Sequence, residues 1–321
     1  MEVNYLKRIL IALGGNAILK HGQRGTVEEM RANIRQASRQ LAPIIASWYQ
    51  VVITHGNGPQ VGNILLQNEL AHEAVPPMTL DVCGAATQGQ LGYLLQQALS
   101  NELRLLDKDT EVSAIVTQTL IDPDDPGLKI PSKPIGRWYA PNEPVDTRDR
   151  TTPYLKDPEK GRRRLVFSPS PAGIINIRTI EALLRSGIVV IACGGGGVPV
   201  MPDERKNLVG VEAVIDKDMA SQRLATAIGA QIFLILTDVP SVYLDYGTPQ
   251  EKPIEQIDAA SLKEIANRKI FPDGSIGPKV EAAIRFVECG GEKAIIAHID
   301  QAEDALKGKS GTKIFNAQGE R

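Results

Sequence analysis

Short apolar runs that alternate with longer amphipathic stretches are the feature that most restricts how this chain can fold. Such alternation is typical of βαβ units, in which hydrophobic strands form a buried parallel sheet and helices cover its faces. Every run except the last is followed by glycine or another turn-forming residue, and ligands of open α/β sheets bind at those ends. The pattern predicts an α/β fold with strands at residues 8–13, 51–54, 112–117, 188–192, 232–236 and 294–297.

A capping box marks the start of the first predicted helix. Thr26 and Glu29 are three residues apart, ahead of apolar positions that recur every three or four residues. This spacing places one face of the helix against the sheet, through Met30, Ile34, Ala37 and Leu41. Two further helices are predicted, over residues 91–103 and 279–288.

Composition limits the classes of partner. Thirty-six basic and 38 acidic side chains give a formal net charge of −2, so no overall field attracts nucleic acid or an anionic membrane. The longest apolar runs have the length of strands and are too short to span a membrane. Three widely spaced cysteines indicate reduced thiols in a cytoplasmic protein, each buried as a small core residue. Any anion site is therefore expected to be built locally.

A long irregular segment interrupts the alternation at residues 122–171. It holds 10 of the 21 prolines and 10 lysines or arginines, without a sustained helical period. A stretch of this length inside a compact domain predicts a lid or small subdomain. The alternative is a solvated, proline-rich loop. Two stiff, proline-containing arms, 129–136 and 166–171, enclose the cations and favour the lid.

Four glycine-rich turns occur at residues 12–17, 55–62, 193–199 and 274–279. Glycine allows a tight turn and lets backbone N–H groups approach a phosphate, and a following helix adds the positive end of its dipole. Glycine also ends strands for steric reasons alone, so a single turn is a weak indication. Four such turns favour a site that binds an anion.

Known nucleotide motifs do not fit these turns. The turn at 55–62 has one residue too many for the dinucleotide fingerprint, and in another turn Pro199 occupies the position of the last glycine. Residues 308–310 resemble the end of a P-loop, but Glu303 stands where its first glycine is required. A nicotinamide-dependent enzyme is thereby disfavoured.

Lysines beside carboxylates are the second signal. Asp216, Lys217 and Asp218 are consecutive ahead of a helical stretch, where a neighbouring carboxylate can orient the Lys217 ammonium toward a phosphoryl group. The alternative is an ordinary exposed charge cluster. Lys279 lies in the first turn of a predicted helix, where a cation opposes the helix dipole, and this favours a role for Lys279 at an anion.

The strand predicted at 232–236 leads into a loop with nucleoside-binding character. Thr237 and Asp238 follow the strand directly and Tyr243 comes shortly after. This loop can hold an adenine between an aromatic face and backbone groups. The alternative for Tyr243 is a place in the core.

The chain resembles the carbamate kinases of the amino acid kinase superfamily in eight segments that occur in order: ALGGNA, HGNGPQVGN, SKPIG, SPSP, CGGGGVPV, VEAVIDKD, LTDV and GSIGPK. The resemblance runs from Leu10 to about Ile296. Ala12 stands where acetylglutamate and uridylate kinases carry a lysine. Carbamate kinases supply that charge from the protruding subdomain, and Lys133 is the matching position here.

This resemblance implies an open αβα sandwich with a central, mainly parallel sheet and a small protruding lid subdomain. It divides the chain into a carbamoyl phosphate-binding half (1–121 and 172–200), the lid (122–171) and a nucleotide-binding half (201–321). It also implies a homodimer. The implied reaction is ATP plus carbamate giving ADP plus carbamoyl phosphate, with Mg²⁺, and its reverse makes ATP in arginine breakdown.

Site residues follow from the same resemblance. Lys133 and Lys217 neutralise the transferring phosphoryl group, Asp216 orients Lys217, and Lys279 meets the nucleotide phosphates. Residues implied in substrate binding are Gly14, Gly15, Asn16, Gly56, Asn57, Gly58, Arg163, Gly195 and Gly196. Those implied in nucleotide binding are Thr237, Asp238, Tyr243, Lys217 and Lys279. No protein ligand of the metal is assigned.

Two departures from the family pattern concern the lid. Phe167 replaces a proline, so a different hinge is expected, and residues 138–160 match no family pattern, which leaves substrate selection open. Two other functions remain: a related kinase acting on a different carboxylate or phosphate acceptor, and a nucleotide-binding relative without catalysis. The three retained lysines favour an enzyme.

Overall fold

The structure is a computed structural model that describes residues 7–20, 22–47, 49–140, 153–159, 161–268, 270–271 and 276–317. Its strands are β1 (Lys7–Leu13), β2 (Tyr49–His55), β3 (Val112–Ala114), β4 (Gln118–Ile121), β5 (Lys133–Tyr139), β6 (Tyr154–Asp157), β7 (Gly161–Val166), β8 (Pro171–Ile174), β9 (Val189–Ile191), β10 (Val198–Pro202), β11 (Leu208–Gly210), β12 (Ile232–Thr237), β13 (Val242–Leu244), β14 (Lys252–Ile254), β15 (Gln256–Asp258), β16 (Lys293–His298) and β17 (Thr312–Phe315). Its helices are α1 (Val27–Ala46), α2 (Gly58–Ala71), α3 (Leu80–Leu105), α4 (Ile177–Arg185), α5 (Lys217–Ala227), α6 (Ala259–Asn267), α7 (Gly277–Glu288) and α8 (Ala302–Leu306).

A central sheet of eight strands has the order β15-β17-β16-β12-β1-β2-β9-β3. Neighbouring strands are parallel except β16 and β17, which are antiparallel. All six strands predicted from the sequence lie in this sheet, so the prediction of a mainly parallel α/β sheet is confirmed. Strands β1, β9, β12 and β16 are largely buried on both faces, which is why they read as continuous apolar runs.

Helices cover both faces of the sheet. Alternate residues of β1 point to opposite layers: Ile9 and Ile11 join the core beneath α1, α3 and α8, whereas Leu10 and Ala12 join the core beneath α4 to α7. The predicted capping box is present, because the Thr26 hydroxyl accepts from the Glu29 N–H and the Glu29 carboxylate accepts from the Thr26 N–H. Because helices cover both faces of the sheet, the predicted αβα sandwich is confirmed.

The proline-rich segment contains a sheet of its own. Strands β5, β7 and β6 form an antiparallel sheet in that order, here called the lid sheet. A separate four-stranded sheet, β11-β10-β4-β8, lies beside the arms of the segment. Phe167 at the end of one arm is held by its backbone, since its carbonyl accepts from the N–H of Val214 at 2.9 Å. Much of the unmatched stretch, residues 141–152, lies outside the described residues.

Local details depart from the sequence predictions. Helix α3 begins at Leu80, well before the predicted start at residue 91. Cys83 and Cys193 are buried, but Cys289 is exposed at the end of α7, so the expectation that all three cysteines are core residues is wrong for Cys289. Among the described helices, none combines the length and apolar character needed to cross a bilayer.

Candidate active site

Three glycine-rich loops meet at the carboxyl ends of β1, β2 and β9. These strands are neighbours in the central sheet, so the loops that follow them lie side by side. A Cβ added to Gly56 would lie 3.7 Å from the backbone nitrogen of Gly15 and 3.4 Å from Cδ of Lys217. The first two predicted loops are therefore in contact, with the Lys217 side chain beside them.

The third loop contains two glycines that no other residue can replace. Gly195 has φ +64°, and a Cβ there would lie 2.1 Å from Nδ2 of Asn57. Gly196 has φ +95°, and its Cβ would lie 2.5 Å from the carbonyl oxygen of Ile215. Both the left-handed backbone and the lack of space demand glycine. These two residues shape the floor of the site by close packing.

Not every amide in the loops is available to an anion. The Gly14 N–H donates to the Leu236 carbonyl at 2.9 Å and the Gly56 N–H donates to the Leu13 carbonyl at 3.3 Å. The cradling role predicted for Gly14 and Gly56 is thus limited to close approach of the backbone. Helix α2 begins at Gly58, so its first N–H groups point out of the helix toward the loops.

The side chain of Asn57 has a structural partner. Its amide is buried and donates to Oγ1 of Thr87 on α3 at 2.7 Å. This bond fixes the turn between β2 and α2 against α3. The contribution of Asn57 to substrate binding would therefore come from its backbone.

A buried charge cluster lies at the amino terminus of α5. The Lys217 ammonium donates to Oδ1 of Asp218, and the Lys279 ammonium lies 3.3 Å from Oδ2 of the same carboxylate. The side chain of Asp218 is only 4% exposed. One carboxylate therefore holds two lysines from different helices, α5 and α7. The Gly274 and Ser275 part of the predicted turn before α7 lies outside the described residues.

Asp216 contacts a different lysine from the one predicted. Its Oδ1 accepts from the N–H groups of Asp218 at 2.8 Å and Met219 at 3.3 Å, which makes Asp216 the N-cap of α5. Its Oδ2 accepts from the Lys133 ammonium, which reaches in from the lid sheet. The carboxylate that contacts Lys217 is that of Asp218, so the contact that the sequence analysis assigned to Asp216 is corrected.

Asp218 is the site residue that the sequence analysis missed. The three consecutive charges at 216–218 gave no reason to prefer one carboxylate. The available signal was the helix start, because an aspartate directly before a helix uses its carboxylate to cap the backbone. The second carboxylate, inside the first turn, then remains for the lysines.

Opposing effects set the protonation of the cluster. Burial lowers the pKa of Lys217, and the charge of Lys279 lowers it further, against the attraction of Asp218. Burial alone would raise the pKa of Asp218, but the two ammonium groups outweigh it and the pKa of that carboxyl is lowered. Asp218 is therefore a carboxylate at neutral pH, and its charge favours the ammonium form of Lys217.

The predicted nucleoside loop contributes to a neighbouring cavity of about 260 Å³. Asn16 donates to Asp238 at 2.6 Å, and Thr237 donates to the other oxygen of Asp238 at 3.0 Å. The structure thus brings these three residues together at the ends of β1 and β12. Tyr243 lies on β13 and pairs with Tyr246, with ring centroids 5.8 Å apart. In the described part of the chain, no group of three His, Cys, Asp or Glu is placed to hold a metal ion.

Arg163, predicted to bind substrate, is engaged inside the lid. Its Nε donates to the Gly136 carbonyl at 2.9 Å, and its guanidinium lies 6.0 Å from the Trp138 ring centroid. Burial lowers the pKa of Arg163. These contacts link β7 to β5, so the observed role of Arg163 is to join the strands of the lid sheet.

His55 is fully buried beneath the loops. Its Nδ1 lies 3.0 Å from the Gly56 carbonyl, and a Cβ on Gly194 would lie 2.5 Å from its Nε2. Burial lowers the pKa of His55 to about 4. The imidazole is therefore neutral at physiological pH, and it positions the loop rather than carrying charge.

We expect His55 to make stability depend on acidity. The unfolded chain takes up the proton near pH 6.5 and the folded state only near 4, so stability is lost as the pH falls between these values, by about 3 kcal/mol. His55→Gln should remove this part of the loss, measured by urea unfolding at neutral pH and near pH 4. His72→Gln, at the end of α2, is the control and should keep the wild-type loss. An equal loss in the His55→Gln protein would contradict the assignment.

Comparison with known proteins assigns the chain to a family. Residues 7–298 match the amino acid kinase family. The carbamate kinase of Pyrococcus furiosus is 47% identical over 312 residues, which cover 96% of this chain and 99% of that protein. The carbamate kinase of Thermococcus kodakarensis is 48% identical over 313 residues, with coverage of 96% and 99%. The structure of Giardia lamblia carbamate kinase bound to AMP-PNP has a TM-score of 0.90 at 38% identity, covering 97% of this chain and 98% of its own. The chain therefore belongs to the amino acid kinase family, within its carbamate kinase branch.

Proposed function

We propose that this protein is a carbamate kinase, which transfers a phosphoryl group reversibly between ATP and carbamate. The observation that carries the proposal is the convergence of Lys133, Lys217 and Lys279 on the two carboxylates that begin α5. Three positive and two negative charges leave one positive charge in excess. A site of this kind, beside glycine loops and the positive end of a helix, suits a phosphoryl group.

The chemistry requires charge and positioning more than a covalent nucleophile. Phosphoryl transfer passes through a loose transition state with negative charge on the equatorial oxygens. Lys217 and Lys133 would neutralise this charge from opposite sides, one from α5 and the other from the lid. Lys279 would bind the nucleotide phosphates. The amides at the start of α2 and around Gly15 would hold the carbamoyl phosphate.

No general base is needed, because carbamate is already an anion. The buried, neutral imidazole of His55 is consistent with a reaction that needs no general base. Asp216 would keep Lys133 at the site, and Asp218 would hold Lys217 and Lys279 together. The aspartates would thus organise the cations without taking part in proton transfer.

The nucleotide would occupy the edge formed by Thr237, Asp238 and Tyr243. Mg²⁺ would arrive as part of the nucleotide substrate, held mainly by phosphate oxygens and water, as small hard cations prefer. It would supply further charge neutralisation between the phosphates. We also propose a cytoplasmic location and a role in arginine breakdown, where the reverse reaction makes ATP; both are supported by the family resemblance.

The deciding experiment is ATP formation from ADP and carbamoyl phosphate with Mg²⁺. Parallel reactions with ATP and acetylglutamate, or ATP and UMP, test the related kinases of the superfamily. We expect product only with the carbamoyl substrates. Turnover of acetylglutamate or UMP instead would replace the proposal, and nucleotide binding without any turnover would favour the relative that lacks catalysis.

Removal of either Lys217 or Lys133 should impair turnover strongly. Loss of one preorganised charge from a transition state lowers kcat by about 10²-fold or more, which we expect for Lys217→Ala and Lys133→Ala. Lys307→Ala is the control, because this lysine pairs with Glu303 on α8, outside the charge cluster. Near-normal turnover in a folded Lys217→Ala protein would refute its role. An unimpaired Lys133→Ala protein would remove the function proposed for the lid.

The Asp218 carboxylate should set the alkaline limit of activity. It favours the charged form of Lys217, so Asp218→Asn lowers the pKa of Lys217 further. The alkaline limb of the kcat profile should then move to lower pH, together with a fall in maximal turnover. Asp109→Asn, an exposed residue between α3 and β3, should leave the profile in place. A profile unmoved in Asp218→Asn would show that this carboxylate does not set the charge of Lys217.

We further propose a homodimer formed through α3 and the edge strand β3. Gly92 packs inward, since a Cβ there would lie 2.8 Å from Cβ of Ala114, but Gly89 has open space before it. Beside Gly89, a groove of about 470 Å³ runs between α3 and β3. Tyr93 is 54% exposed on it and Val116 is 52% exposed. A small residue with exposed Tyr93 and Val116 nearby, at the edge strand of the central sheet, suits close packing of a second copy.

Light scattering after size exclusion tests this interface. Tyr93→Arg places a charge in the groove and should convert a dimer to a monomer. Tyr246→Arg introduces the same charge at another exposed tyrosine and should leave the dimer intact. A monomeric wild type, or a Tyr93→Arg protein that stays dimeric, would overturn the proposed interface.

A further inference from the structure

The lid sheet is fastened to α2 at a point far from the charge cluster. Arg164 on β7 forms an ion pair with Glu69 on α2, and both side chains are half-buried. β7 is the central strand of the lid sheet, so this pair holds the sheet at its middle. Glu69 is eleven residues beyond Gly58, a distance of about 16 Å along the helix. Glu69 therefore has no direct access to the transferring group.

A second contact brings the two backbones together. A Cβ added to Gly62 on α2 would lie 2.0 Å from Cα of Gly136 on β5. The absence of side chains at both positions lets the helix and the strand touch directly. Apolar side chains continue this contact: Val61, Leu65, Leu80, Cys83, Ile135 and Val166 form one buried cluster.

These contacts connect the two ends of the proposed site. Helix α2 starts at Gly58, in the loop expected to hold carbamoyl phosphate, and β5 starts at Lys133. Lys133 is therefore positioned by β5, the strand that packs against α2. An ion pair between partly exposed side chains contributes little to stability by itself. The pair joins α2 to β7, the strand that lies beside Lys133. It is therefore suited to fixing the position of that lysine.

We infer that Glu69 and Arg164, with the Gly62–Gly136 contact, form a latch that positions Lys133 for phosphoryl transfer. This inference rests on the proposed function. Glu69 and Arg164 act only through Lys133 and are positioning residues. Through the latch, the position of Lys133 depends on α2, the helix that begins in the loop expected to hold carbamoyl phosphate.

The latch predicts a coupling that a merely structural contact would not produce. Glu69→Gln should lower kcat about tenfold or more, because small misplacements far from the chemistry can have large effects. The KM for ADP should stay constant, since the nucleotide is bound by the other half. Exchange of the charges, Glu69→Arg with Arg164→Glu, should restore much of kcat. In a Lys133→Ala background, Glu69→Gln should have no further effect on kcat.

Two control variants match these changes. Glu73→Gln removes a carboxylate four residues further along, whose side chain is 85% exposed, and should leave kcat unchanged. Gly62→Ala should displace the lid as Glu69→Gln does, whereas Gly84→Ala, a helical glycine with no atom within 4 Å of an added Cβ, should not. Equal losses of kcat from Glu69→Gln with and without Lys133 would overturn the latch, as would a normal kcat in Glu69→Gln.

A readout without turnover separates the latch from the proposed function. The chain has two tryptophans, and Trp48→Phe leaves Trp138 on β5 as the reporter of the lid. Acrylamide should quench Trp138 more strongly in Glu69→Gln and Gly62→Ala than in the parent. Increased quenching in a protein without carbamate kinase activity would keep the latch and refute only its link to that reaction. Unchanged quenching in both variants would overturn the latch itself.

Discussion

Pairing of buried charge at the amino terminus of α5 is the constraint on which the rest of the structure depends. Asp216 and Asp218 hold three lysines, and burial of such groups is tolerated only when each has a partner. The lysines come from the lid, α5 and α7. The pairing therefore joins three distant parts of the chain in one arrangement that has one positive charge in excess.

The central sheet determines where this charge can act. Parallel order brings the loops after β1, β2 and β9 to one edge, and α5 is fastened to that edge by a bond of 2.7 Å between Thr54 on β2 and Ser221. Ser221 in turn donates to the Lys217 carbonyl at 2.6 Å. These hydrogen bonds fix the position of α5, and therefore of Lys217, relative to the glycine-rich loops. Lys133 reaches Asp216 from the lid sheet.

Several site residues were predictable because their chemistry is local. Glycines after strands and lysines beside carboxylates are visible without knowledge of the fold, and Lys133 follows from the family motif. Asp218 was missed because the sequence shows the two carboxylates on either side of Lys217 as equals, although N-capping uses one of them. Arg163 was predicted at the substrate, but its observed partners are Gly136 and Trp138 within the lid. The amides of Gly14 and Gly56 were predicted as donors, but they extend the sheet.

The sequence by itself determined six of the eight strands of the central sheet, the capped first helix and the residue types available for phosphoryl chemistry. Apolar periodicity and capping act over a few residues, so they can be read from the chain directly. Only the tertiary structure decided which carboxylate meets which lysine, which amides remain donors and how the lid rests on α2. These choices depend on contacts such as Lys133 with Asp216, 83 residues apart, and on space that exists only after the sheet and helices have packed.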